Sequence, residues 1–152
     1  MSRILGIDLG ERRIGLAVAD SGIGIARPLT TVRRGATVAD DAARIGAICR
    51  EQDALELVIG LPLEAAGDEG PMAQAARSWS SALGAELRLP VVLRDERLSS
   101  FEAERRLGRM PRGRSGGAPT RTQRNAHRAR VDREAASVIL QDELDARRVD
   151  GR

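Results

Sequence analysis

Apolar residues run almost unbroken through Arg3-Ile4-Leu5-Gly6-Ile7-Asp8-Leu9 and again from Ile14 to Val18, with the polar stretch Gly10-Glu11-Arg12-Arg13 between them. Two short apolar runs around a glycine-opened turn predict a β-hairpin, and Asp20-Ser21-Gly22 ends its second strand. A third strand is expected over residues 25–32, where Pro28 confines it to a sheet edge or a bulge. Helical spacing then takes over: Val38, Ala42, Ile45 and Cys49 share one face, Thr37 is placed to cap, and Cys49 reads as a small core residue. The continuous apolar run over residues 56–61 predicts a strand buried on both faces, followed by a loop over residues 62–70 and a helix from Pro71 to about Leu83. Pro90 introduces a further strand over residues 91–95, and Ser99 with Glu102 has the form of a capping box for a helix to about Leu107. Residues 108–123, rich in Gly, Pro and Arg, read as a loop before a long last helix over about residues 124–147. Leading antiparallel strands followed by alternating strands and helices predict an α/β fold with a mixed sheet and flanking helices.

A chain of 152 residues fits one domain, residues 1–152, large enough to bury a core without disulfides or a structural metal. One Cys, no apolar run of membrane-spanning length and no leader-like start predict a reduced cytoplasmic protein with no membrane partner. All 25 basic residues are Arg, so a net charge of only +3 coexists with an isoelectric point near 10.6. The charge is unevenly spread: residues 1–96 are net acidic and residues 97–152 net basic, with nine Arg and no acid from Arg105 to Val131. Arg109, Arg112, Arg114, Arg121, Arg124 and Arg128 in this stretch are the expected phosphate contacts for a nucleic acid, setting affinity rather than sequence preference. Trp79 and Phe101 are the only aromatics, so a grip on nucleic acid should be electrostatic rather than a stacking platform.

Carboxylates stand out at three places along the chain. Asp8 interrupts an apolar strand, where an ionised group is costly unless it is paired or ligates a cation. Asp95-Glu96-Arg97 ends another strand, at the sheet edge where ligands collect in α/β proteins, and only one of the two acids needs to share a face with Asp8. Asp132 falls inside the apolar arc of the last helix, and either faces a cavity or neutralises a positive group; Arg128 four residues earlier offers an ordinary helix pair. Singly each has a structural explanation: a turn contact for Asp8, a cap or ion pair for Asp95-Glu96. Together they suit two Mg²⁺ or Mn²⁺ ions roughly 4 Å apart acting on a phosphodiester, a chemistry of hard oxygen ligands that uses neither thiol nor imidazole. One Cys and one His argue against a zinc site.

Four spaced motifs carry a family resemblance: the segment from Ile7-Asp8-Leu9-Gly10 to Ala17-Val18-Ala19-Asp20, then Val58-Ile59-Gly60-Leu61-Pro62-Leu63, then Asp95-Glu96-Arg97-Leu98-Ser99-Ser100, then Val131-Asp132 with Ala135-Ala136 and Ile139-Leu140-Gln141. In this order they resemble the YqgF/RuvX family, described both as a Holliday junction resolvase and as a pre-16S rRNA nuclease. The resemblance implies a ribonuclease H-like fold and a cytoplasmic nuclease processing the 5′ end of precursor 16S rRNA, with ribosomal particles as possible hosts of the substrate. It places the acidic, metal-holding site on Asp8, Glu96 and Asp132, with Asp95 and Asp20 as further carboxylates. Two alternatives stay open: cleavage of branched DNA as a Holliday junction resolvase, and a non-catalytic RNA-binding ribosome-assembly factor. A nucleotide-binding reading of Gly6-Ile7-Asp8-Leu9-Gly10 is disfavoured by length, since such proteins close two domains around ATP. RNA against DNA, and monomer against dimer, are not separable at this level.

Overall fold

The computed structural model describes residues 2–64, 66–97, 99–108, 113 and 116–151. Five strands, β1 (Arg3–Leu9), β2 (Arg13–Asp20), β3 (Arg27–Arg33), β4 (Ala54–Leu61) and β5 (Val91–Asp95), form one sheet in the order β3-β2-β1-β4-β5. β1 pairs antiparallel with β2 and parallel with β4; β2 pairs antiparallel with β3, and β4 parallel with β5. The expected hairpin and mixed sheet are therefore present. Pro28 satisfies both of its allowed settings, since β3 is an edge strand and its register against β2 shifts beside that residue.

Four helices cover the sheet: α1 (Val38–Gln52), α2 (Pro71–Leu87), α3 (Ser99–Leu107) and α4 (Arg121–Val149). Alternation along the strands sends Leu5, Ile7, Ile14, Leu16, Leu57 and Ile59 to one face, where they pack with Ala42, Ile45 and Cys49 of α1 and Trp79 and Leu83 of α2. The other face carries small residues, and α4 lies close against it through Ala136, Ile139, Leu140 and Leu144. A Cβ on Gly6 would stand 2.7 Å from Leu140, and one on Gly15 only 2.0 Å from the backbone oxygen of Asp132. These strand glycines let the helix descend onto the sheet.

Three boundaries differ from the pattern. α2 runs four residues past Leu83, because Gly84 is a packing residue against Val91 rather than a stop; Arg88, at φ 55°, makes the left-handed cap instead. α4 starts at Arg121, three residues early, behind a Thr120–Gln123 capping box, so the end of the expected loop is helix. Ser99 opens α3 as a helical residue rather than standing before it, and Glu102 turns to Arg105 and Arg106 instead of back to a cap. The Thr37 cap of α1 is present, as a reciprocal box with Asp40. Among the described residues no helix is long and apolar enough to cross a membrane.

Candidate active site

The site is built at the sheet edge where β1, β4 and β5 end. Asp8 is the penultimate residue of β1 and, with Ile4 and Gly6, faces α4. Its cross-strand partner is Gly15, directly beneath the Asp132 backbone. Glu96 follows β5, its backbone N–H donating to the Leu61 carbonyl at 3.1 Å, and its side chain folds back over β4. Gly60 makes that possible: a Cβ there would lie 2.3 Å from Glu96 Oε2. Glu96 therefore shares a side with Asp8, whereas Asp95 accepts hydrogen bonds from Arg97 at 2.8 and 2.9 Å, the ordinary ion pair open to this dipeptide.

The two carboxylates are brought together at a cost. Burial, then the charge of Asp8 and its side-chain contact, push Glu96 up to about 9. Asp8 is raised to about 6 by burial, with the Asp132 charge adding to the effect and the hydrogen bond with Glu96 opposing it. Glu96 Oε2 is buried and has no hydrogen-bond partner among the described residues. Two adjacent, desolvated carboxyls with an orphaned oxygen are the arrangement a hard divalent cation relieves, so these residues fit an oxygen-ligated metal.

Asp132 is close enough to be felt by Asp8, yet its carboxylate accepts from Arg13 Nε at 2.7 Å, an ion pair between α4 and β2. The positive group its position called for is thus Arg13, not Arg128 on its own helix. Among the described residues no three His, Cys, Asp or Glu side chains gather closely enough to hold a metal ion. Asp20 lies at the far end of the hairpin, bonded to Arg3 at 3.2 Å, and takes no part in the site. The hollow beside Asp132, about 410 Å³, is lined by Arg13, Glu104, His127 and Arg128, with His127 buried next to the α3–α4 contact.

Of the expected phosphate contacts, Arg121, Arg124 and Arg128 stand exposed on the first turns of α4, and Arg124 donates to the Pro119 carbonyl at 2.7 Å. Arg109, Arg112 and Arg114 lie outside the described residues. Arg13 escaped the sequence reading because its partner is 119 residues away; its only signal was a charge at the start of an otherwise apolar strand.

The family model described as "RuvX: Holliday junction resolvase" matches residues 2–146 of the chain. A relative from Anaeromyxobacter dehalogenans (strain 2CP-C), named "Putative pre-16S rRNA nuclease", is 51% identical over 146 residues, which is 95% of this chain and 98% of that one. A relative of the same name from Acidiphilium cryptum is 42% identical over 144 residues, 95% of this chain and 84% of its own. Among solved structures, T. thermophilus RuvC in complex with Holliday junction substrate aligns over 97% of this chain and 96% of that one, with a TM-score of 0.55 at 14% identity. That likeness speaks for the fold, and the expected ribonuclease H-like architecture holds.

Proposed function

The chain belongs to the RuvX family, a family of nucleases, and from that premise we propose that it is a divalent-metal-dependent nuclease that trims the 5′ end of precursor 16S rRNA in the cytoplasm. The observation that carries this reading is the Asp8–Glu96 pair, two carboxyls forced together at the sheet edge with one oxygen left unpartnered. The substrate class comes from the pre-16S rRNA nuclease relatives, which match nearly the whole chain.

Asp8 and Glu96 would hold the cation, and Asp132, in its ion pair with Arg13, would add a third negative charge nearby. Bound there, Mg²⁺ or Mn²⁺ supplies Lewis-acid stabilisation of the charge that develops on the phosphate and acidifies the attacking water. The protein's own side chains do the rest. Arg13 fixes the Asp132 carboxylate between β2 and α4, so this acid keeps a defined position beside the pair. Near neutral pH the Asp8–Glu96 pair retains a proton, which keeps two adjacent charges from forming in the unliganded site. Arg121 and Arg128 present guanidinium groups along the approach, where they bind phosphates and set register without reading bases. A ribosomal particle carrying the precursor is the expected setting.

A second reading, cleavage of branched DNA, is favoured by the description of the family model. The discriminating experiment incubates the protein and Mg²⁺ or Mn²⁺ with a labelled precursor 16S rRNA 5′ leader and, in parallel, a four-way DNA junction. Cutting of the RNA alone supports the processing nuclease. Symmetric cutting of the junction assigns branched DNA, and tight RNA binding with neither substrate cut replaces the enzyme by an RNA-binding assembly factor.

A further inference from the structure

Beside the catalytic edge lies a second concavity of about 370 Å³ that no acid lines. One wall is the end of the β2–β3 ladder, with Arg12, Arg13 and Arg33; the other is the first turns of α4, with Arg121, Asn125 and Arg128. Arg13 and Arg33 stand directly opposite each other across the ladder, an arrangement that like charges make unfavourable unless an anion offsets it. Arg13 is neutralised by Asp132. The guanidinium groups of Arg12, Arg33, Arg121 and Arg128 make no hydrogen bond or ion pair among the described residues, so four free cations converge on one groove.

The walls are held in place by other atoms. Arg34 donates from its backbone to the Arg12 carbonyl at 2.9 Å and from its guanidinium to the Gly10 carbonyl at 3.1 Å. Thr31 Oγ1 donates to the Ala129 carbonyl at 2.7 Å, tying β3 to α4 across the groove floor. Arg121, Asn125, Arg128 and Asp132 recur at helical spacing on one stripe, so the groove leads along α4 to the carboxylates. Arg13 and Arg128 line both this groove and the hollow that holds Asp132. The lining has no aromatic side chain on which a base could stack, while planar guanidinium forks match phosphate oxygens.

We propose that this groove seats the phosphodiester backbone of the substrate strand next to the scissile bond, through Arg12, Arg33, Arg121 and Arg128. The placement of that bond rests on the nuclease reading of Asp8 and Glu96; the binding of a strand does not. The test is fluorescence anisotropy of a labelled single-stranded leader RNA in chelator, where nothing is cut, between about 50 and 200 mM salt. Wild type is compared with Arg33→Gln, Arg33→Lys, Arg12→Gln/Arg33→Gln and Arg50→Gln, the last on the helix covering the opposite face. Circular dichroism verifies that each variant is folded; Arg12 and Arg33 are exposed.

Each lost phosphate contact removes about 0.7 from the logarithmic salt slope, so the double variant should lose about sevenfold less affinity than wild type across that range. It should also bind more weakly at the low-salt end, with Arg33→Lys and Arg50→Gln tracking wild type in slope. Wild-type slope and affinity in the double variant would overturn the groove assignment, and so would displacement of the strand by a mononucleotide or inorganic phosphate at matched phosphate concentration. Failure of the groove leaves cleavage that depends on Asp8 intact. Failure of the nuclease reading instead shows a groove-dependent salt slope with no cleavage when metal is restored.

Discussion

Changing Glu96 to Gln should make the metal-free protein more stable at neutral pH. In the unfolded chain both carboxyls ionise near pH 4, whereas in the native site burial, with the Asp132 charge, raises Asp8 to about 6, and burial with the charge of Asp8 raises Glu96 to about 9. Between those limits the native state binds more protons than the unfolded state, so stability falls as pH rises. Each titrating group contributes about 1.4 kcal/mol per pH unit. For a chain of this size 1 kcal/mol moves the melting temperature by about 2–4 °C, which makes the slope about 3–6 °C per pH unit while Glu96 alone titrates. In Glu96→Gln the amide keeps the shape, donates to Asp8 and carries no charge, so the fall above pH 6 should vanish. Melting curves in chelator from pH 5 to 8 measure both proteins, and above pH 6, where Asp8 is ionised in both states, their difference reports chiefly on Glu96. Parallel curves, or a wild type that gains stability as pH rises relative to the variant, would refute the assignment of a strained acid pair.

Gly15→Ala tests the helix seating: a Cβ 2.0 Å from the Asp132 carbonyl oxygen forces α4 outward, at a cost of about 1–3 kcal/mol, and should lower both the melting temperature and the cleavage rate. A variant that melts and cuts like wild type would show that the close approach is dispensable. On the opposite face, buried Asp41 accepts from Trp79 Nε1 at 3.0 Å and from the Gly35 N–H at 2.7 Å. Asp41→Ala should therefore cost about 1–3 kcal/mol, read in denaturant titrations by the fluorescence of the single tryptophan, and leave leader binding intact in the folded protein.

Much of this architecture was legible because strong local patterns and tertiary packing agree. The runs that became β1, β2 and β4 are mostly apolar, and Pro28 announced its own bulge. Asp8 was visible as a charge where an apolar residue belongs, whereas Asp95-Glu96 marked only a strand end, and the family resemblance chose Glu96. The misses share a cause, since local chemistry is ambiguous where a distant partner decides. Gly84 looks like a helix stop until Val91 is seen packed against it, and Glu102 fits a cap until Arg105 and Arg106 compete for it. The Arg13–Asp132 pair and the arginine groove join segments from opposite ends of the chain, which no periodicity encodes. Gly6, Gly15 and Gly60 did carry a usable signal: glycine inside a strand marks a close approach, here of α4 and of the Glu96 side chain.

The central claim is that the Asp8–Glu96 pair is the cleavage centre for a precursor rRNA. Its most direct test measures binding and single-turnover cleavage of the same 16S 5′ leader, with Mg²⁺ or Mn²⁺, by wild type, Asp8→Asn and Glu96→Gln. Both variants are expected to keep binding the leader, since the arginines that hold the phosphates are untouched, and to cut it at less than about one-hundredth of the wild-type rate, the scale on which single groups contribute to such sites. Cleavage by Asp8→Asn at the wild-type rate and position would contradict it.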